Sequence, residues 1–484
     1  MARPNILIFM PDQLRADAVG AFGNPVARTP NIDALAARGV RFDDAWCQHP
    51  VCGPSRVSLM TGWYPHVAGH RTLDHLLGPD EPNLLRLLRD AGYRVCMPGH
   101  RGDVFAPGVT EASTDFCGYL DWPDASGFAG IPTPDEVDPA LQRAFYVGRV
   151  GAGDGPRVDG DEATVRTAIR WIEEATPGDA PWAMWVPLMA PHLPFLVEEP
   201  WFSLHDRADM PAPIDPTATV GKPEFMVAYR ATYGWDALDE PRLREISATY
   251  YGMVSRVDDQ LGRLLAAVER TGQTDDTVVV FLTDHGEYLG DHGLVEKWPS
   301  AMDPSITRNP LVVAGPGVSE GETCEALVEL VDVLPTLLDF AETEAHHTHF
   351  GRSLTPLLRD PARPHRDAVF TEGGFSPVDV DLFERAGGLY EPKARLQHEH
   401  PELVGKATTI RTSTHTYVHR QCESDELYDR VSDPSETRNL IEDPSPTDVS
   451  AAMRDRILDW LVATSDVIPW DRDPRFPDIP HGWR

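Results

Sequence analysis

Lysine is nearly absent from this chain of 484 residues: Lys222, Lys297, Lys393 and Lys406 occur, and the other cationic side chains apart from histidine are arginines. Acidic residues outnumber basic ones, 76 against 43, for a formal net charge of −33. That excludes a protein held on nucleic acid by a global basic field, because phosphate affinity needs Lys and Arg. No apolar run approaches the ~20 residues of a membrane span. The opening MARPNILIFMPDQ has too short an apolar run for a signal peptide, and no small-residue cleavage site follows. A soluble, cytoplasmic protein is expected, with neither membrane nor nucleic acid as partner. Cysteine is also sparse. Cys47, Cys52, Cys96, Cys117, Cys324 and Cys422 show no CxxC or Cys/His finger spacing, so neither a disulfide framework nor structural zinc is expected. Most of them read as small buried hydrophobes.

What is present suffices for a core, with 41% hydrophobic residues. Short apolar runs alternate with amphipathic helices, the pattern of an α/β fold. Strands are expected at Asn5–Met10, Arg94–Met97, Trp182–Met189, Thr277–Leu282 and Pro310–Val313. Helices are expected from Pro30 to Gly39 and over Asn83–Ala91, Asp161–Ala175, Arg242–Glu269 and Asp332–Phe340. After about Pro361 the texture shifts to Ala368–Thr371, Thr408–Arg411 and Thr416–His419, which read as a small antiparallel sheet, followed by a helix over Val449–Val462. The expected division is residues 1–361 as a catalytic unit and 362–484 as a smaller α+β subdomain with a tail.

Three segments at strand exits carry chemistry. Asp12-Gln13 follows the first strand, and Asp284-His285-Gly286 follows Thr277–Leu282. Each alone is ordinary turn chemistry. Together they offer a mostly oxygen donor set with one nitrogen, which favours Ca²⁺, Mn²⁺ or Mg²⁺ over thiolate-bound zinc. Ligands of open α/β sheets bind beyond the carboxyl ends of strands, so the segments can converge. In the third, Pro50-Val51-Cys52-Gly53-Pro54-Ser55-Arg56, Pro54 suits the first turn of a helix reaching about Thr61. Cys52 then sits at the helix mouth, where the dipole and free N–H groups lower a thiol pKa and attract an oxyanion. Arg56, a turn further on, can fork onto that anion. A buried cysteine and a surface arginine fit the same residues equally well.

Cys52-Gly53-Pro54-Ser55-Arg56 with Leu59-Met60-Thr61-Gly62 resembles the C-x-P-S-R signature of type I sulfatases, in the alkaline phosphatase superfamily. Further segments match in family order: Pro4–Leu7 running into Asp12-Gln13, Pro191–Phe195, Thr283–Glu287, Leu289–Gly293 with Lys297, Leu334–Leu338, Gly351–Leu354 and Glu426–Asp429. The resemblance implies a large, mostly parallel or mixed central sheet flanked by helices, with a smaller C-terminal antiparallel sheet and helix. It implies oxidation of Cys52 to Cα-formylglycine by a maturase, whose hydrated aldehyde attacks the sulfur of a sulfate ester. Asp12, Gln13, Asp284 and His285 would hold one divalent ion with residue 52, Ca²⁺ first and Mn²⁺ or Mg²⁺ as alternatives. Gln13 fits either a direct ligand or a supporting one. Arg56 would steady the nucleophile, and Lys297 and His192 would face the sulfate, one of them protonating the leaving oxygen. His292 reads as loop support.

Asp12-Gln13 also resembles choline sulfatases and phosphonate monoester hydrolases, so a phosphonate monoester or phosphodiester hydrolase is the alternative to a sulfatase acting on a small-molecule or sugar sulfate. The lysine that many members carry after Gly92-Tyr93 is missing. His100 or Arg101 stands in for it, and His70 and Arg71 are candidate substrate contacts.

Two explanations fit the missing lysines: a GC-rich coding bias, or adaptation to high salt, where carboxylates stay hydrated and screening removes their repulsion. The second predicts that the thermal midpoint climbs with KCl. Full stability at ~0.1 M salt, where repulsion is weakly screened, rejects it.

Overall fold

The computed structural model describes residues 3–99, 103–120, 137–151, 158–175, 180–443 and 447–468. Its centre is a nine-stranded sheet in the order Glu322–Cys324, Gly39–Trp46, Arg308–Ala314, Thr277–Leu282, Asn5–Met10, Trp182–Pro187, Arg94–Pro98 and Phe116–Gly118, with Val328–Glu329 also pairing beside Gly39–Trp46. Arg308–Ala314 is antiparallel to both neighbours. The other pairs in this sheet are parallel.

The central strands are buried on both faces, as their unbroken apolar runs require. Alternate residues part to opposite sides. Leu7, Phe9, Val279 and Phe281 join a core with the helices Gly160–Glu174 and Glu240–Arg270. Ile6, Ile8, Val278 and Val280 join another with Leu84–Asp90, Cys52–Thr61 and Val333–Phe340. A second, antiparallel sheet has the order Val369–Gly373, Ala407–Arg411, His415–Arg420 and Glu426–Asp429. Met453 and Ile457 of the helix Thr447–Thr464 pack on its Ile410, Tyr417 and Leu427.

The expected α/β architecture is therefore present. The strand Gly39–Trp46 is not predicted by patterning, because Arg41, Asp43 and Asp44 interrupt its apolar residues. The ladder is irregular there, with its register shifting between Phe42 and Ala45. No helix among the described residues is long and apolar enough to cross a membrane.

A buried ionic cluster ties the two sheets together. Arg366, just before the second sheet, reaches both Asp332 and Glu329, the latter at 3.1 Å. His365 lies 3.2 Å from Asp332, and the Tyr64 hydroxyl donates to Glu329 at 2.7 Å. Arg366→Met strands two buried carboxylates and is expected to cost about 3–5 kcal/mol of unfolding free energy in denaturant titration. An unchanged midpoint would show the cluster to be dispensable.

Candidate active site

The parallel strands ending at Met10, Trp46, Pro98, Pro187 and Leu282 point their carboxyl ends to one edge of the sheet. The antiparallel strand starts at that edge, so the connection 283–307 stays there. The chain reaches the helix Cys52–Thr61 through an extended Val51, whose N–H donates to His49 Nδ1 at 3.1 Å. Burial pushes His49 down to about 3, which keeps that ring neutral and accepting. Pro54 falls in the first turn, where no N–H is missed, and Gly62 closes the helix with φ +69°. Cys52 is the first helical residue. Gly53 leaves little room for a side chain, because a Cβ would lie 3.0 Å from the Asp103 carbonyl oxygen and 3.1 Å from Leu73.

Arg56 is wholly buried and forks onto three carboxylates: Asp12 Oδ2 at 2.7 Å, Asp284 Oδ2 at 2.8 Å and Asp103 Oδ1 at 2.6 Å. Burial alone would lower its pKa; Asp103, Asp284 and Asp12 outweigh that and hold it charged. The reading of a surface arginine is thereby corrected: three strand exits supply its counter-charges. Asp284 Oδ1 accepts the backbone N–H groups of Gln13 at 3.1 Å and His285 at 2.9 Å. Gln13 reaches this place with a left-handed φ of +64°.

His285 tests the donor set for a metal. Its Nδ1 lies 2.9 Å from the Gly286 carbonyl, which can only accept, so Nδ1 carries the hydrogen. Nε2 is left as a bare lone pair, buried and without a hydrogen-bond partner. It sits 3.7 Å from Asp12 Oδ1 and 3.9 Å from Asp284 Oδ1. Burial lowers the His285 pKa, so protonation does not relieve the crowding of acceptors. Cys52, Asp284 and His285 present ligand atoms within 4.8 Å of one another, as do Asp12, Cys52 and Asp103. Two carboxylates, an imidazole and position 52 fit a hard divalent cation.

The helix mouth does not acidify Cys52. Its thiol is pushed up, first by burial and then by Asp12, with Lys297 and Arg56 only partly opposing. This corrects the expected lowered thiol pKa: the loss of water, and after it the Asp12 carboxylate, outweigh the helix terminus.

Lys297 is buried, donating to Gln13 Oε1 at 2.6 Å and to His192 Nε2 at 3.0 Å, and ion-paired with Glu296 at 2.9 Å. Burial would lower its pKa; Glu296, position 52 and Asp12 hold it raised and charged. His192 is half-buried and directs Nδ1 to the Leu193 carbonyl at 2.6 Å. Gln13 Nε2 donates to Glu287, so the Gln13 side chain spans Glu287 and Lys297.

His70 is tied into its own loop, 2.9 Å from both Glu81 and the His75 carbonyl. Arg71 pairs with Glu372, which also holds His66. His100 and Arg101 lie outside the described residues. His292 supports its loop: its N–H donates to the Ile214 carbonyl at 2.8 Å and its ring lies 3.6 Å from Asp303. Sequence reasoning missed roles for Asp103, Glu287 and Glu296, which are indistinguishable from the many other acidic residues until the chain folds.

A family model described as Sulfatase matches residues 4–343. The chain belongs to the sulfatase family. It is 28% identical to the multifunctional alkaline phosphatase superfamily protein PehA of Trinickia caryophylli, with 96% of each chain covered. It is 29% identical to the uncharacterized sulfatase YidJ of Escherichia coli strain K12, covering 98% of this chain and 92% of that one. Among solved structures, the phosphonate monoester hydrolase of Agrobacterium radiobacter aligns at a TM-score of 0.74 and 25% identity, over 96% of both chains.

If Asp12, Asp284 and His285 share an ion, excess Ca²⁺ raises the thermal midpoint above that in chelator. The gain is about 3 kcal/mol at a hundredfold excess over Kd. Asp284→Asn is expected to abolish the Ca²⁺-dependent shift; a shift that survives it would place the ion elsewhere.

Proposed function

We propose that this sulfatase-family chain hydrolyses a sulfate monoester to an alcohol and inorganic sulfate, using Cα-formylglycine at position 52 and one divalent ion. Ca²⁺ is the first choice, with Mn²⁺ or Mg²⁺ as alternatives, and a maturase must convert Cys52. The observation that carries the reading is the bare His285 Nε2 facing Asp12 and Asp284 beside Cys52. Residues 1–361 form the catalytic unit in this reading, and the substrate is a small-molecule or sugar sulfate. When bound, the ion and the hydrated aldehyde supply an oxygen nucleophile and neutralise anionic charge.

The chain's own residues do the rest. Asp12, Asp284 and His285 hold the ion, while Lys297 engages the Gln13 amide oxygen. Arg56 neutralises the carboxylates on the side away from His285 and fixes their angles. Lys297 carries a positive charge beside position 52 for the sulfuryl oxygens. The Lys297 to His192 hydrogen bond holds a proton between two groups, and either can deliver it to the departing oxygen.

The phosphonate monoester reading is kept because the Agrobacterium radiobacter hydrolase aligns over nearly the whole chain. Both ester classes are singly charged anions. Steady-state turnover of an aryl sulfate and an aryl phosphonate monoester separates them, with the sulfate expected to give the higher kcat/KM. Peptide mass spectrometry is expected to show an aldehyde in place of the Cys52 thiol, and Cys52→Ala to lose at least about 10³-fold in kcat. Full activity in Cys52→Ala would defeat both readings.

A further inference from the structure

The scarce lysines are not scattered over the surface. Lys222 pairs with Asp303, and Lys297 and Lys393 both pair with Glu296; all three side chains are buried. Two ammoniums on one buried carboxylate need a reason, because taking each out of water is costly.

Glu296 immediately precedes Lys297 and has a φ of +68°, a left-handed conformation that a side chain disfavours. Lys393, in the helix Glu391–Glu399, grips this dipeptide at two points. It donates to Glu296 Oε2 and, at 2.8 Å, to the backbone carbonyl of Lys297. Tyr229 adds its hydroxyl to the same carboxylate oxygen at 3.1 Å, and Glu287 accepts the Glu296 N–H. The other oxygen, Oε1, faces Lys297 Nζ at 2.9 Å.

We infer that Lys393 is a positioning residue for Lys297, clamping the strained Glu296-Lys297 turn and dividing the Glu296 charge so that the Lys297 ammonium keeps a net positive charge toward a bound anion. The inference rests on the proposed reading of Lys297 as the cation facing the substrate. One carboxylate between two ammoniums leaves the group singly positive. Without Lys393, Glu296 and Lys297 form a neutral pair, and the Lys297 carbonyl loses its tether. A compact ammonium with three donors suits two acceptors set close together, which a planar guanidinium serves less well.

The test compares full-length wild type, Lys393→Met, Glu296→Gln and the double variant. The readouts are kcat/KM on whichever aryl ester the wild type turns over, calorimetric binding of inorganic sulfate, and the thermal midpoint. Lys393→Met is expected to lose about tenfold or more in kcat/KM, and sulfate affinity by a similar factor. Placed on Glu296→Gln, it is expected to add less than about twofold, because both act through one carboxylate. A merely structural role would lower the midpoint while leaving sulfate affinity unchanged well below it. A folded Lys393→Met with unchanged kcat/KM and sulfate affinity overturns the inference, and so do losses that multiply in the double variant. If Lys393→Met does not fold, Lys393→Gln keeps a donor on Glu296 without the charge and takes its place in the same comparison. A wild type that binds sulfate but turns over neither ester defeats the proposed function, while the sulfate-binding comparison still decides the role of Lys393.

Discussion

One buried guanidinium makes the rest of the site feasible. Asp12, Asp103 and Asp284 arrive from three separate strand exits, and three carboxylates drawn together, two of them buried and Asp103 half-buried, repel one another strongly. Arg56 takes one oxygen from each. On Asp12 and Asp284 this divides the carboxylate: Oδ2 is committed to the guanidinium, and Oδ1 is turned toward His285. The arginine thus aims the oxygens that remain. Its own position follows from Pro54 and Gly53, which let the helix begin at Cys52 and pack against the Asp103 backbone without a side chain between.

The second sheet completes this arrangement rather than standing apart from it. The stretch after Lys297 is braced almost residue by residue from the C-terminal side. Trp298 donates to the Leu403 carbonyl at 3.0 Å, Gly374 N–H to Pro299 at 2.7 Å, and Arg420 to Ser300 at 3.1 Å. Arg411 reaches the Met302 carbonyl. A loop that must hold a buried cation at a fixed place gains rigidity from hydrogen bonds to a sheet, and cannot obtain it from its own short turns.

Local features were legible in the sequence where one residue's chemistry decides its surroundings. The runs Asn5–Met10 and Thr277–Leu282 could only be covered strands, and Pro54 and Gly62 bracket a helix whatever lies nearby. The motifs placed Asp12, Asp284 and His285 at strand exits, Arg56 one turn into a helix, and Lys297 a fixed distance after Asp284-His285. Long-range electrostatics were not legible. The thiol pKa of Cys52 rises instead of falling because closure excludes water and Asp12 comes from 40 residues earlier in the chain, neither of which a helix N-terminus announces. Nor does the sequence announce that Glu81, a short loop away, lies 2.9 Å from His70 Nε2. Glu296 is one acidic residue among 76 until folding sets it between two lysines. The strand Gly39–Trp46 escaped for a related reason: tertiary pairing at the sheet tolerates charges that local alternation does not.

The burial of Lys222, Lys297 and Lys393 also shapes how the molecule meets reagents in a test tube. Acylating dyes, biotin esters and aldehyde fixatives attack uncharged, accessible amines. Among the lysines only Lys406, at the entrance to the strand Ala407–Arg411, stands open to solvent. Amine-directed labelling of the folded protein is therefore expected to favour that one lysine over the other three.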